Sequence, residues 1–505
     1  MRDRSVGEGF AWASAGRLSL QAANLAALTI TSRFITPTEF GLFAPAAIFA
    51  GLIYSVTEGT FATALLQRND LGDDHIRVSI WSSIITAAAT TTLLVLSAPL
   101  IEKIFGFSGL ATVIAISAFM LPARLVAAVP LALLQRKMRF RDIAVVPLVT
   151  SVGGRIVPTI VLAVSGFGVW SLVVGYIIQA YLDAAIFLYL ARPSVRWPSN
   201  WRCARDILGF GGRFMAIHSV NQLALNVDNL LVGRLLGPAA LGFYSRAFTL
   251  MMLPVNLLGT SAQQVLFPRF SRLQDDRRTL RSELYFSIDL VCGLIMPFSV
   301  LLAIVADSLV LLLLGNTWAP VIVPTRILFA AAVFRIAYKV TETVSFATAT
   351  LTPAIVRQVG YAALIAIGAF VGSRWNLTGV AVGVGIALVS FYISSLAAAV
   401  RIVDARWLPL VVSHVRGLAI TLLATLPAAA LASFEGHSLS ARVAADAGAG
   451  LLFCLSMIAI MFKGPRWLGG VSASVVSDFT ARLMRRLRTT FPRAVGTATE
   501  ERGVL

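Results

Sequence analysis

Apolar residues in this chain run in long blocks, neither alternating nor confined to one helical stripe. Charge, proline or glycine separates the blocks. Fourteen of them reach spanning length, at about 10–32, 41–66, 78–100, 109–134, 143–165, 167–190, 207–233, 239–266, 284–306, 320–347, 353–373, 376–400, 409–433 and 441–462. A bilayer core of about 30 Å needs about 20 helical residues, so each block predicts a transmembrane helix. The ninth is expected to run on through Leu309–Leu314. The predicted fold class is an all-α integral membrane protein with 14 transmembrane helices, short connections and both termini on one side.

Composition agrees with the pattern. Hydrophobic residues make up 57% of the 505 residues and charged residues only 13%, with a mean hydropathy of +0.82. A soluble chain carries roughly 25% charged residues because its surface faces water. A set of soluble domains is therefore excluded. The first block carries Arg17 and is too long for a cleavable signal, so it reads as a retained helix. Cys203, Cys292 and Cys454 stand far apart, which argues against a disulfide framework or a zinc site. No cofactor is expected.

Charge changes the picture next. There are 42 Lys and Arg against 24 Asp and Glu, a net charge of +18. On the predicted topology, 28 of the cations fall on the N-terminus, alternate loops and C-terminal tail. Five (Arg33, Lys103, Arg234, Arg374, Arg442) fall on the opposite loops. Cytoplasmic loops carry the Lys and Arg excess, so both termini are expected in the cytoplasm, and no nucleic acid is needed to explain the charge. In the tail, Val471, Val475, Phe479, Leu483, Leu487 and Phe491 recur every four residues among Arg482, Arg485, Arg486 and Arg488. That spacing predicts an amphipathic helix on anionic inner-leaflet lipid, against a disordered basic tail as the bland alternative.

An internal repeat organises the spans. Arg33-Phe-Ile-Thr-Pro37-Thr-Glu-Phe-Gly41-Leu-Phe43 and Arg234-Leu-Leu-Gly-Pro238-Ala-Ala-Leu-Gly242-Phe-Tyr244 share R-x3-P-x3-G-x-[FY] at an offset of 201. The same offset pairs Gln21 with Gln222, Leu65 with Leu266 and Arg68 with Arg269. A displacement of six helices inserts both copies the same way up, about an axis along the membrane normal. The predicted organisation is an N-terminal lobe at 1–205, a second six-helix lobe at 206–405 with a central cavity between them, helices 13 and 14 at 406–465, and a basic cytoplasmic tail at 466–505.

Polar residues inside the spans carry the candidate chemistry. A charge at the bilayer centre costs at least about 2.5–3.5 kcal/mol and marks function by default. Nine cations lie inside predicted spans: Arg17, Arg124, Arg155, Arg213, Arg246, Arg326, Arg335, Lys339 and Arg416. Arg213, Arg326 and Arg416 lie near helix ends, where they are expected to snorkel. Internal anions are fewer: Glu58, Asp183, Asp228, Asp289 and Glu342. Arg335, Lys339 and Glu342 have the spacing to pair among themselves. The remaining positive excess predicts a cavity that accepts an anion. The first span presents Ser14, Arg17, Gln21 and Asn24 on one face, and the seventh presents His218, Gln222 and Asn229 beside Asp228. Cavity lining is the functional reading of these stripes; hydrogen bonds between helices are the structural one. Glu58 and Asp228 are the candidates for ion coupling. No phosphate loop is present, and the outer loops are short for a membrane enzyme of polysaccharide assembly.

The runs Arg33–Phe43, Leu65–Asp70 (LLQRND), Asn226–Phe248 (NVDNLLVGRLLGPAALGFYSRAF), Val265–Leu273 (VLFPRFSRL) and Leu314–Pro320 (LGNTWAP) resemble bacterial polysaccharide-export flippases of the multidrug/oligosaccharidyl-lipid/polysaccharide superfamily. The resemblance covers about residues 5–400. It implies alternating-access movement of undecaprenyl-diphosphate-linked oligosaccharides across the bacterial inner membrane, for exopolysaccharide, capsule or O-antigen synthesis. It also implies a polysaccharide polymerase and chain-length or export proteins as partners, with cavity cations such as Arg17 and Arg246 holding the diphosphate. A multidrug antiporter of the same superfamily and a membrane polymerase remain the alternatives.

Overall fold

The computed structural model describes residues 2–67, 72–198, 222, 225–432 and 439–463. The predicted tail helix, His218 and most of the seventh apolar block lie outside the described residues, as do the side chains of Arg17 and Glu58.

The described chain is helical and contains no strand. It begins with α1 (Arg2–Thr31), α2 (Pro37–Gln67), α3 (Asp73–Phe105), α4 (Leu110–Ser117) and α5 (Met120–Arg136). Next come α6 (Phe140–Thr150), α7 (Val157–Val164), α8 (Val169–Ala191), α9 (Val227–Leu236) and α10 (Pro238–Pro254). Then follow α11 (Thr260–Arg272), α12 (Arg277–Leu290), α13 (Met296–Ile304), α14 (Ala306–Leu313) and α15 (Ile322–Ala347). The last are α16 (Leu351–Gly372), α17 (Asn376–Ile402), α18 (Trp407–Ala432) and α19 (Leu439–Lys463). Among the described residues, eleven helical stretches are long and apolar enough to cross a membrane. One of them, Thr352–Ile402, contains both α16 and α17. The protein is a multi-pass membrane protein. The ninth segment does not run on as expected: α13 ends at Ile304, and Leu309–Leu313 belongs to the separate helix α14.

The duplicated motif starts two helices the same way. Pro37 and Pro238 each occupy the first position of their helix, where a missing N–H costs nothing. Thr36 and Glu39 add a capping box. Thr36 donates its backbone N–H to Glu39 Oε2 at 2.8 Å, and Glu39 returns its own to Thr36 Oγ1 at 3.4 Å. Three helices are interrupted by π turns, at Ser151–Ile156, Val255–Gly259 and Val291–Ile295. Such one-residue insertions re-aim side chains and recur at functional sites.

Cα proximity divides the chain into two compact units, 1–253 with 309–328 and 352–391, and 254–308 with 329–351 and 392–505. The first unit contains the start of both copies of the repeat motif. There the copies meet reciprocally. A Cβ on Gly41 would lie 1.7 Å from the Pro238 carbonyl oxygen, and one on Gly242 would lie 1.9 Å from the Pro37 carbonyl oxygen. Each copy's glycine thus accepts the other copy's proline backbone, the exchange of roles that a two-fold relation produces. The second unit has its own core, including Leu284, Ile288, Val340, Val344, Ala399 and Leu410.

Candidate anion-binding site

Arg155 stands in the π turn between α6 and α7, and the extra residue there turns its guanidinium toward α8. It donates to the Tyr176 hydroxyl at 3.3 Å, to Ser151 Oγ at 2.7 Å and to the Asn24 side-chain oxygen on α1. Its guanidinium also lies 5.1 Å from the centre of the Tyr176 ring. Arg246, on α10, rests 3.6 Å from the Phe40 ring centre. Its Nε is buried without a hydrogen-bond acceptor among the described residues. Arg124, on α5, lies 5.4 Å from the Tyr54 ring centre. All three guanidinium groups act electrostatically on Tyr176. Phe43 packs against the same ring at 5.2 Å.

Arg155 thus touches Tyr176, and Arg124 and Arg246 lie within electrostatic reach of it inside the first unit. Among the described residues none of them forms an ion pair with a carboxylate. Asp183, two turns along α8 from Tyr176, lies within electrostatic reach of Arg124 and Arg155 and accepts the Thr150 hydroxyl. Aromatic faces compensate the cations in place of carboxylates. A desolvated contact of this kind contributes about 2 kcal/mol, less than a buried charge costs, so the cluster retains its demand for an anion.

The other expected site residues are distributed as follows. Asn24 joins the cluster through Arg155, and Gln21 is half-buried one turn before it on α1. Gln222 is half-buried, and its carbonyl accepts the Asn226 side chain at 2.8 Å. Asp228 is buried at the start of α9, where it accepts the Tyr244 hydroxyl at 2.8 Å and the Asn229 backbone N–H at 2.9 Å. Arg335 and Lys339 belong to the second unit. They share one face of α15 with Glu342, which accepts the Ser395 hydroxyl at 3.0 Å. Arg416 does not simply snorkel: it donates to the buried Asp289 at 3.1 Å. Tyr176, Tyr54, Phe40 and Ser151 carry the cluster without having been singled out. Only Phe40 lay within a noted motif; nothing in the apolar run around Tyr176 marks that tyrosine.

The sequence profile of a family described as "Polysaccharide biosynthesis protein" matches residues 30–324, more than half of the chain and most of the first unit. The chain belongs to this polysaccharide biosynthesis protein family. The Lipopolysaccharide biosynthesis protein WzxC of Escherichia coli (strain K12) is 22% identical over 337 residues, covering 66% of this chain and 68% of that relative. The Succinoglycan biosynthesis transport protein ExoT of Rhizobium meliloti (strain 1021) is 23% identical over 316 residues, 63% of this chain and 64% of its own length. The fold of this polysaccharide biosynthesis protein is shared with a solved structure of the lipid II flippase MurJ in an inward closed conformation. That match has a TM-score of 0.74 at 14% identity and covers 89% of this chain and 98% of MurJ.

Proposed function

We propose that this protein is an alternating-access flippase that moves lipid-diphosphate-linked oligosaccharides across the bacterial inner membrane for cell-surface polysaccharide synthesis. The observation that carries the reading is the Arg124–Arg155–Arg246 cluster around Tyr176, which has no ion-paired carboxylate among the described residues. A diphosphate supplies the missing charge, and the planar guanidinium fork matches its oxygens two at a time. The related transport and lipopolysaccharide proteins and the lipid II flippase fold support the same cargo class. A cationic drug would be repelled by the same cluster. The lipid tail stays in the bilayer while the sugars enter between two six-helix lobes, and Gln21 and Asn24 offer them hydrogen bonds. Arg17 lies on α1 two turns before Asn24, roughly 10 Å apart at 1.5 Å per residue, and catches the diphosphate at the cytoplasmic entrance. Both termini lie on the cytoplasmic side, and Glu58 and Asp228 are the residues through which an ion gradient would couple. The test is polysaccharide export by strains carrying Arg155→Ala or Arg17→Ala, assayed beside a membrane-fraction blot. Normal export by both at normal protein levels removes the arginines from the reading.

A further inference from the structure

At the expected outer end of the first unit one indole packs between the two copies of the repeat motif. Trp318 sits in the short 3-10 turn Asn316–Val321, inside the LGNTWAP run, and is fully buried. Its ring lies 5.5 Å from Phe40 at the start of α2 and 5.9 Å from Phe243 at the start of α10. Phe40 and Phe243 stand one residue before Gly41 and one after Gly242, so the indole is wedged between the two copies of the motif. Its Nε1–H donates to the Ser32 carbonyl at the end of α1 at 2.8 Å. Arg33 beside it donates to the Leu312 carbonyl at 3.0 Å, tying the same segment to the same corner. The Arg246 guanidinium on α10 rests 3.6 Å from the centre of the same Phe40 ring on α2.

We propose that Phe40 and Trp318 are positioning residues that couple anion capture at Arg246 to opening of the outer end of the protein; the proposal rests on the flippase reading. Three bridges join α2 to α10: the reciprocal Gly41–Pro238 and Gly242–Pro37 backbone contacts, the Trp318 wedge, and the Arg246–Phe40 stack. Only the third involves a group that a cargo anion competes for. Among the described residues the Arg246 Nε is buried without an acceptor, so a phosphate oxygen gives it a charged acceptor in place of a ring face. Charge-assisted hydrogen bonds to phosphate are stronger than a cation–π contact. Arg246 therefore leaves Phe40 when the anion arrives, and Phe40 loses the contact that holds it against Trp318. The Gly41–Pro238 and Gly242–Pro37 backbone approaches that remain are van der Waals contacts. With no anion present, the stack keeps the outer end shut and prevents an empty leak.

The experiment reads opening directly rather than transport. Ala47 lies on the same face of α2 as Phe40, seven residues or roughly 10 Å further in. A single cysteine is placed there (Ala47→Cys) in a background of Cys203→Ser, Cys292→Ser and Cys454→Ser. It is labelled with a membrane-impermeant maleimide in right-side-out vesicles, with or without inorganic diphosphate loaded inside. The parent should label slowly, and internal diphosphate should speed labelling about fivefold. Phe40→Leu and Trp318→Ala should label about fivefold faster without diphosphate and gain nothing when it is loaded. Trp318→Phe keeps the ring and loses the Nε1–H, so its rate should fall between parent and alanine. Equal labelling of the parent and Phe40→Leu, with no response to diphosphate, overturns the proposal. Failure of the flippase reading looks different: Arg155→Ala then exports normally while the labelling differences among Phe40 and Trp318 variants persist, which leaves the closure standing.

Discussion

Arg155 has three side-chain partners in the first unit, and each tests a different part of its role. Its contacts to Tyr176, Ser151 and Asn24 hold the guanidinium plane in place. Arg155→Lys keeps the charge but replaces a fork by a point charge. Charge-assisted hydrogen bonds contribute about 1.5–3 kcal/mol each. Arg155→Ala should therefore lower export by about tenfold to a hundredfold, with Arg155→Lys intermediate. Tyr176→Phe removes one acceptor and leaves the ring, so its effect should be smaller than that of either. Export per unit of membrane-inserted protein measures all three, and a Tyr176→Phe defect as deep as Arg155→Ala contradicts the anion-holding role. Of this neighbourhood, the arginines were legible in the sequence because an uncompensated charge inside an apolar run is conspicuous. The grouping was not. Arg124, Arg155 and Arg246 come together from three distant helices, while Arg335 falls in the second unit. The π turn that aims Arg155 leaves no periodic trace, because Ser151–Ile156 reads as ordinary apolar helix. Asp289 shows the same limit from the other side: its partner Arg416 is 127 residues away, so spacing alone suggested snorkelling.

At the scale of the element, block lengths and punctuation carried most of the information. Helix boundaries follow Pro37, Pro238 and the glycine-rich turns because those residues act locally on the backbone. The repeat was legible for the same reason, since its Pro and Gly perform backbone roles in both copies. Gly41→Ala places a methyl group against the Pro238 carbonyl and should cost at least about 1–3 kcal/mol, read as a lower melting temperature of the detergent-solubilised protein. Gly360, on α16, has open space where its Cβ would go, so Gly360→Ala should hold or raise that temperature. If the two substitutions melt alike, the reciprocal contact is not structurally demanding. A second expectation concerns α12. Asp276 caps it, accepting from the Arg278 and Thr279 backbone N–H groups at 3.1 Å each and from the Thr279 hydroxyl at 2.6 Å. These bonds, that of the Thr279 side chain first, hold the Asp276 carboxyl below its ordinary value. A depressed folded value means the stabilisation is fully present above the unfolded value of about 3.9 and is lost as pH falls through the folded one. Asp276→Asn should therefore flatten the acid side of the melting-temperature profile below about pH 4 while leaving neutral pH nearly unchanged. An unaltered acid limb would show that the cap is not linked to folding.

The whole molecule is governed by the asymmetry of its charge. On the predicted fourteen-helix topology, 28 cations fall on one set of loops and termini against five on the other. The richest runs predicted for the first side include Arg136, Lys137, Arg139 and Arg141 around the junction of α5 and α6, and Arg269 to Arg281 around the junction of α11 and α12. The sparse side includes Arg33, Arg234 and Arg374, the last of these in the turn between α16 and α17. Translocating Lys and Arg is disfavoured during insertion, so this imbalance predicts cytoplasmic termini whatever the cargo. On the proposed orientation, Trp318, Pro37 and Pro238 lie at the outer side, and the proposed entrance at Arg17 lies on the cytoplasmic side. On the proposed reading, a lipid-linked substrate entering from the cytoplasm meets a cation before it meets the outer end. The expectation is accordingly specific. A fluorescent reporter fused after Leu505 should light up inside the cell, and alkaline phosphatase fused after Trp375 should be active. The same phosphatase fused after Arg139 should be inactive. Reversing the pattern, with phosphatase active at Arg139 and silent at Trp375, would place Trp318 in the cytoplasm and turn the proposed exit into the entrance.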